Sequence, residues 1–298
     1  MHQSRRALLS GAAAMIVAGG LAACGEKAEK KAEPKAPEGP PEGSLPWAVA
    51  GAWRTADRAR DPWRHPIETL EFWGIRPSMT VVQFWPGAGW YTEIIAPYLA
   101  KGGGKLYAAQ FQTGPDAPSV RPAQAALVAA FLERFGQDRR LYGQIELTAF
   151  GPTSAPVAPA GTADLVIFDR NIHTWMAAGI AEKAFADAFA ALKSGGTLGV
   201  EQHRLDVDAD QDPAAASGYV QEAFVQQLAA EAGFIFLASS EINANPDDTK
   251  DHPFGVETLP PRGLTAPAGE PPDPTFDRSK YDQIGESDRM TLKFRKPE

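Results

Sequence analysis

Apolar residues fall into two kinds of run along this chain: short continuous ones, and longer ones that recur every three or four residues. Val81, Val82 and Phe84 form the first short run, and β-branched and aromatic side chains suit a buried strand. Pro86, Gly87 and Gly89 force a turn straight after it. Ile94, Ile95, Tyr98 and Leu99 then recur at helical spacing and make one apolar stripe. The alternation continues downstream. Strands are predicted at 105–111 (KLYAAQF), 144–150 (QIELTAF), 163–169 (ADLVIFD), 197–203 (TLGVEQH) and 234–242 (FIFLASSEI). Helices are predicted at 66–74, 121–135, 180–193 and 219–234, where Phe131 and Phe135, Ala184 and Ala188, and Phe224 and Leu228 stack one turn apart. Segment 163–169 is the strongest strand, a continuous apolar run of the kind a parallel strand covered on both faces requires. Residues 288–296 (DRMTLKFRK) alternate and read as a closing strand.

Strand and helix alternating at these lengths predict an α/β fold with a doubly wound, mostly parallel seven-stranded sheet. In such sheets ligands sit beyond the carboxyl ends of the strands. The candidates are therefore Pro86 to Trp90, Gln110, Ala149 and Phe150, Asp169 to His173, and Glu201 to Arg204. A glycine turn between a strand and a helix start lets a ligand touch backbone and accept from free N–H groups.

Composition changes the picture at the front of the chain. Arg5 and Arg6 precede an apolar run, Ala7 to Ala23, and then Cys24. A basic start and an apolar middle mark an export signal, here of twin-arginine type. Leu21-Ala22-Ala23-Cys24 is similar to a bacterial lipobox, whose cysteine is lipidated. The expectation is a signal over 1–24, a charged, proline-rich tether over 25–44 and one domain over 45–298, held by a lipid anchor at Cys24 on the periplasmic side of the envelope. Cys24 is the only cysteine, so a disulfide and a thiolate nucleophile are excluded. The formal net charge is -8 and no basic stripe occurs, which argues against nucleic acid as a partner. Residues 47–65 hold Trp47, Trp53 and Trp63 among arginines and aspartates. They read either as a helix packed on the domain or as a lid over the cleft.

VVQFWPGAGWYTE at 81–93, ADLVIFDRNIHTWM at 163–176 and FADAFAALKSGGTLGVEQHR at 185–204 stand in the order and spacing of three motifs of one superfamily. On these the chain resembles the class I S-adenosylmethionine-dependent methyltransferases, in particular a group of exported bacterial members, over about residues 66 to 298. The resemblance implies S-adenosylmethionine as cofactor. It implies that Gln83, Pro86, Gly87, Gly89, Trp90, Gln110, Asp169 and Asn171 surround it, with Gly87 and Gly89 near the methionine part and Gln110 toward the ribose. Gln83 and Gln110 stand where carboxylates are usual, and Trp85 where a glycine is often found.

Methyl transfer needs alignment and, for an acidic nucleophile, a base. His173 and His203 are the candidates, since His173 lies four residues after Asp169, just past the strongest strand, His203 ends the fifth, both would face one cleft, and histidine titrates near neutrality. Asp169, Glu201 and His203 could instead form a mixed metal site, though their spacing matches no tight signature. Residues 243–255 (NANPDDTKDHPFG) read as solvated turns, or as a border of the cleft through Asp251 and His252. The function expected is methyl transfer to a small molecule or an envelope component. The alternative is a non-catalytic small-molecule binder on the same fold. A nicotinamide-dependent oxidoreductase is disfavoured, because Trp90, Tyr91 and Thr92 follow Gly89 where a third glycine would be expected.

Overall fold

The computed structural model describes residues 39–54, 57–113, 117 and 122–298. The expected signal, the anchor at Cys24 and the tether up to residue 38 lie outside the described residues. Residues 39–44 form a turn that ends at Ser44, whose hydroxyl caps the first helix by accepting from Trp47 N at 3.2 Å.

The elements run α1 (Leu45–Val49), a 3₁₀ turn (Asp57–Arg60), α2 (Asp61–Arg64), α3 (Pro66–Trp73), β1 (Thr80–Phe84), α4 (Thr92–Gly102), β2 (Lys105–Phe111), α5 (Pro122–Gly136), α6 (Arg139–Tyr142) and β3 (Ile145–Phe150). Then come β4 (Ala163–Asp169), α7 (Ile172–Ala177), α8 (Ala181–Ala191), β5 (Leu192–His203), α9 (Glu222–Glu231), β6 (Ile235–Ser240), a second 3₁₀ turn (Gly255–Thr258), α10 (Ser279–Ile284) and β7 (Arg289–Arg295). The seven strands form one sheet in the order β3-β2-β1-β4-β5-β7-β6. The first five run parallel, and β7 is antiparallel to both neighbours. The expected α/β architecture is thus the one observed.

The sheet is covered on both faces. Val82, Phe84, Val166 and Phe168 point to the side of α7, α8 and α9, where Trp175, Phe185, Ala188 and Val225 meet them. Val81, Leu106, Leu165 and Ile167 point the other way, onto Ile94, Ile95 and Leu99 of α4 and Leu70 and Trp73 of α3. Residues 165–168 of β4 alternate between these two cores, which is why the segment is apolar throughout. Gly199 of β5 carries no side chain for a packing reason. A Cβ there would come within 2.5 Å of the Trp73 ring.

Four stretches differ from expectation. The Gly195-Gly196 turn is part of β5, because Gly195 N donates to Lys296 O at 2.9 Å and Lys296 N to Gly196 O at 2.9 Å. The short helices α7 and α10 have too few residues for a visible periodicity. Residues 243–255 are not mainly solvated. Asn243, Asn245, Asp248 and His252 are buried and staple the approach to β7: Asn245 Nδ2 donates to Ile284 O and Glu286 O, and Asp248 accepts from Tyr219, His252 and Asp288 N. Asp251 and His252 are not cavity residues.

Candidate functional site

The chain winds outward from β1 to β2 and β3, then crosses back to place β4 on the other side of β1. At that reversal the connections leave in opposite directions, and a crevice opens over the carboxyl ends. A cavity of about 310 Å³ lies there, near the lower end of ligand-pocket volumes. Its wall takes Trp85, Pro86, Gly87, Ala88 and Trp90 from the turn after β1, and Asp169, Arg170, Asn171, His173 and Thr174 from the end of β4 and the start of α7. His203 comes from β5, and Glu286 and Ser287 from the approach to β7. The roof is Asp57, Arg60, Arg64, Val256, Glu257, Pro260, Pro261 and Arg262.

The glycine turn works in two ways. Gly87 has φ +59°, and a Cβ there would meet nothing within 4 Å, so its bare side is open. Gly89 has φ +92°, and a Cβ there would come within 2.2 Å of the Phe135 ring; it is needed for the close packing of α5. Trp85 also has positive φ, +40°. Its indole N–H donates to Phe150 O at 2.9 Å and its ring stacks on Phe111 at 4.5 Å, so it covers the ends of β2 and β3.

Beneath the cavity lies a buried charge network. Glu201 accepts from Tyr91 Oη and Arg170 Nη1, both at 2.8 Å, and pairs with Arg289 at 3.0 Å. Glu286 receives Arg64 at 2.7 Å, Arg289 at 2.9 Å and Arg60 at 3.0 Å. Burial pushes the Glu201 carboxyl up, but Arg170 and Arg289 outweigh it and hold the group below its ordinary range. Glu201 is thereby committed to cations, and among the described residues no group of three metal-ligating side chains is assembled.

Asp169 is different. Burial pushes it up to about 7, against the pull of Arg170 and with a further push from Glu201. Burial drives both histidines the other way. His173 falls to about 4, and His203 falls well below the usual imidazole range, with His173, Arg170 and Arg289 adding to the effect. Both rings are neutral at pH 7, and their centroids stand 5.4 Å apart. His203 Nδ1 meets Ser287 Oγ at 2.5 Å.

Of the site residues expected from sequence, Pro86, Gly87, Trp90, Asp169, Asn171, His173 and His203 come together on this wall. Gly89 stands behind it, packed on Phe135. Gln83 also lies behind it, wholly buried, donating to Asp169 Oδ2 at 3.2 Å and accepting from Thr92 Oγ1 at 2.8 Å. A second carboxylate at position 83 would face Asp169 at that distance, whereas glutamine offers a donor. Gln110 is not on the wall. It is buried, and neither amide atom has a partner among the described residues. Segment 47–65 divides between its two readings. Trp47 and Trp53 pack edge to face at 5.0 Å, and the Trp53 indole donates to Glu93 O of α4; Asp57, Arg60 and Arg64 roof the cavity. Glu286, Ser287 and the 256–262 loop were not legible as site residues. They reach the cavity only through the long connection between β6 and β7.

The sequence matches no protein-family model and no curated protein. Its structure is similar to many solved ones. Over 85% of this chain and 91% of the other, it superposes on the [4+2]-cyclase SpnF with a TM-score of 0.50 at 17% identity. A SAM-dependent methyltransferase from Aquifex aeolicus matches 62% of this chain and 87% of its own, with TM-score 0.45 at 17% identity. One from Mesorhizobium loti matches 83% and 100%, with TM-score 0.46 at 11% identity. At such identities the likeness concerns the fold alone, a Rossmann-like, mostly parallel α/β sheet.

Proposed function

We propose that this protein is an S-adenosylmethionine-dependent methyltransferase, acting on a small molecule or an envelope component from a lipid anchor on the periplasmic side. The observation that carries the reading is the cavity at the sheet's reversal, lined by the glycine turn and by Asp169 and Asn171. The residues present suit the cofactor. Gly87 leaves an open wall at the turn, and the amide of Gln110 lacks the partner that a ribose hydroxyl would be. The room above β2 and β3 is taken by the Trp85 indole, so affinity depends on how readily that ring turns aside. When bound, S-adenosylmethionine supplies an electrophilic methyl group on a sulfonium. Pro86, Gly87 and Trp90 would hold its amino-acid end and Asn171 its flank; Gln110, off the wall, would meet its ribose only with a shift of the turn. The roof of Arg60, Arg64 and the 256–262 loop limits water.

Calorimetry with S-adenosylmethionine and S-adenosylhomocysteine tests this. Submillimolar binding is expected. Gly87→Trp should abolish it by filling the open side. Trp85→Gly should strengthen it by clearing the ends of β2 and β3 and removing a strained φ. No heat from either ligand in any variant would leave a non-catalytic binder on the same fold.

A further inference from the structure

Asp169 ends β4 on the cavity wall and is 7% exposed. Each of its oxygens takes one amide donor. Gln83 Nε2 lies 3.2 Å from Oδ2, and Asn171 Nδ2 lies 3.3 Å from Oδ1. Neither amide is free to turn over. Thr92 Oγ1 donates to Gln83 Oε1, which leaves the glutamine NH₂ for Asp169. Asn171 Nδ2 also donates to Phe84 O and Trp85 O, each at 3.2 Å, so its NH₂ faces the same way. The carboxyl group, with one amide donor on each oxygen, lines the cavity.

His173 has the opposite character. Gln202 Oε1 accepts from Ile172 N at 3.1 Å, and Gln202 Nε2 donates to Gly218 O at 3.0 Å. The second hydrogen of Nε2 therefore meets His173 Nδ1, at 3.2 Å, and Nδ1 must accept it. The single proton of the neutral ring is then on Nε2. His173, which also lines the cavity, carries its donor at Nε2 and has no lone pair left to act as a base.

We infer that Asp169 takes the proton of the methyl acceptor, that His173 Nε2–H donates to the same acceptor oxygen, and that the acceptor is therefore a small alcohol or phenol. The inference rests on the methyl-transfer reading above. A hydroxyl group can donate to Asp169 and accept from His173 at once. A protonated amine has no lone pair for His173, and a thiol accepts weakly. The O–H bond breaks with its electron pair left on oxygen and the proton passes to the Asp169 carboxylate; that pair would form the bond to the methyl carbon as the methyl–sulfur bond of a bound sulfonium breaks with its own pair left on sulfur, leaving a neutral thioether. The groups that set its proton affinity come from every element around it: Gln83 on β1, Tyr91 at the head of α4, Arg170 and Asn171 beside it, and Glu201 on β5. Burial leaves the carboxyl exchanging protons near neutrality, as a general base at working pH must.

The test uses the ligand-free full chain with carboxyl-¹³C aspartate, titrated by NMR, with phenol as probe. One buried carboxyl should titrate near pH 7, vanish in Asp169→Asn, and move higher in Gln83→Leu, which removes a donor to the ionised form. Phenol should shift that resonance, and His173→Phe should weaken phenol binding about tenfold, the worth of one hydrogen bond, with the Asp169 midpoint little changed. An Asp169 that titrates in the ordinary carboxylate range, or that phenol leaves unmoved, would overturn the inference. If Asp169 responds as described while S-adenosylmethionine gives no heat, the methyl-transfer reading falls and the proton-accepting site remains without it.

Discussion

At the scale of single residues, position mattered less than surroundings. Asp169 and His203 stand at strand ends and His173 in the first turn of α7, just past β4, and that much follows from the pattern of apolar runs. Their protonation does not. Burial raises the aspartate and lowers the histidines, so the groups change places relative to their ordinary order. The consequence for stability has a definite sign. A carboxyl whose folded pKa is raised to about 7 favours the protonated form, so its contribution is present below the unfolded carboxylate pKa and is lost as pH rises toward 7. Asp169→Asn should therefore raise Tm more at about pH 8 than at about pH 4, as read by thermal melts monitored by circular dichroism. Equal shifts at both would show that the carboxyl is not perturbed.

At the scale of elements, strand and helix identity came from periodicity, while exact ends came from pairing. β4 sits where its apolar run sits, because both of its faces are covered. β5 begins earlier than its composition suggested, since the chain after β7 offers hydrogen bonds to Gly195 and Gly196. Gly199 is a packing glycine that no local pattern marks. Trp73, whose indole N–H donates to Leu292 O, fills the space its side chain would need. Gly199→Ala should destabilise the fold by about 1–3 kcal/mol through overpacking, measured by urea denaturation. A change within error would mean that Trp73 can shift at no cost.

At the scale of the whole molecule, the proposed export signal over 1–24 and tether over 25–44 would carry their own instruction. On the proposal above, the basic pair, apolar run and Cys24 would be read by export and lipidation machinery rather than by folding. Cys24→Ser should move the protein from the membrane fraction to the soluble fraction of the periplasm, followed by immunoblot. Retention in the membrane would show that something other than a lipid holds it there. The domain itself depends on a charge network that joins distant segments. Arg64 precedes α3, Glu201 ends β5, and Glu286 and Arg289 flank the start of β7. This network supports the cavity floor and links its roof to the sheet.

The order of the strands and the longer helices and the turn at Pro86 to Trp90 were legible in the sequence. These are local properties: an apolar run, a glycine, a spacing of three or four. The tertiary structure alone decided which strand ends share a cavity, that Gln110 is left outside its wall, that Trp85 covers the ends of β2 and β3, and that Glu286 and Ser287 belong to the site. It also decided that Asp169 exchanges its proton near neutrality. Such facts depend on desolvation and on charges brought together from segments more than a hundred residues apart, and no short stretch of the chain contains them.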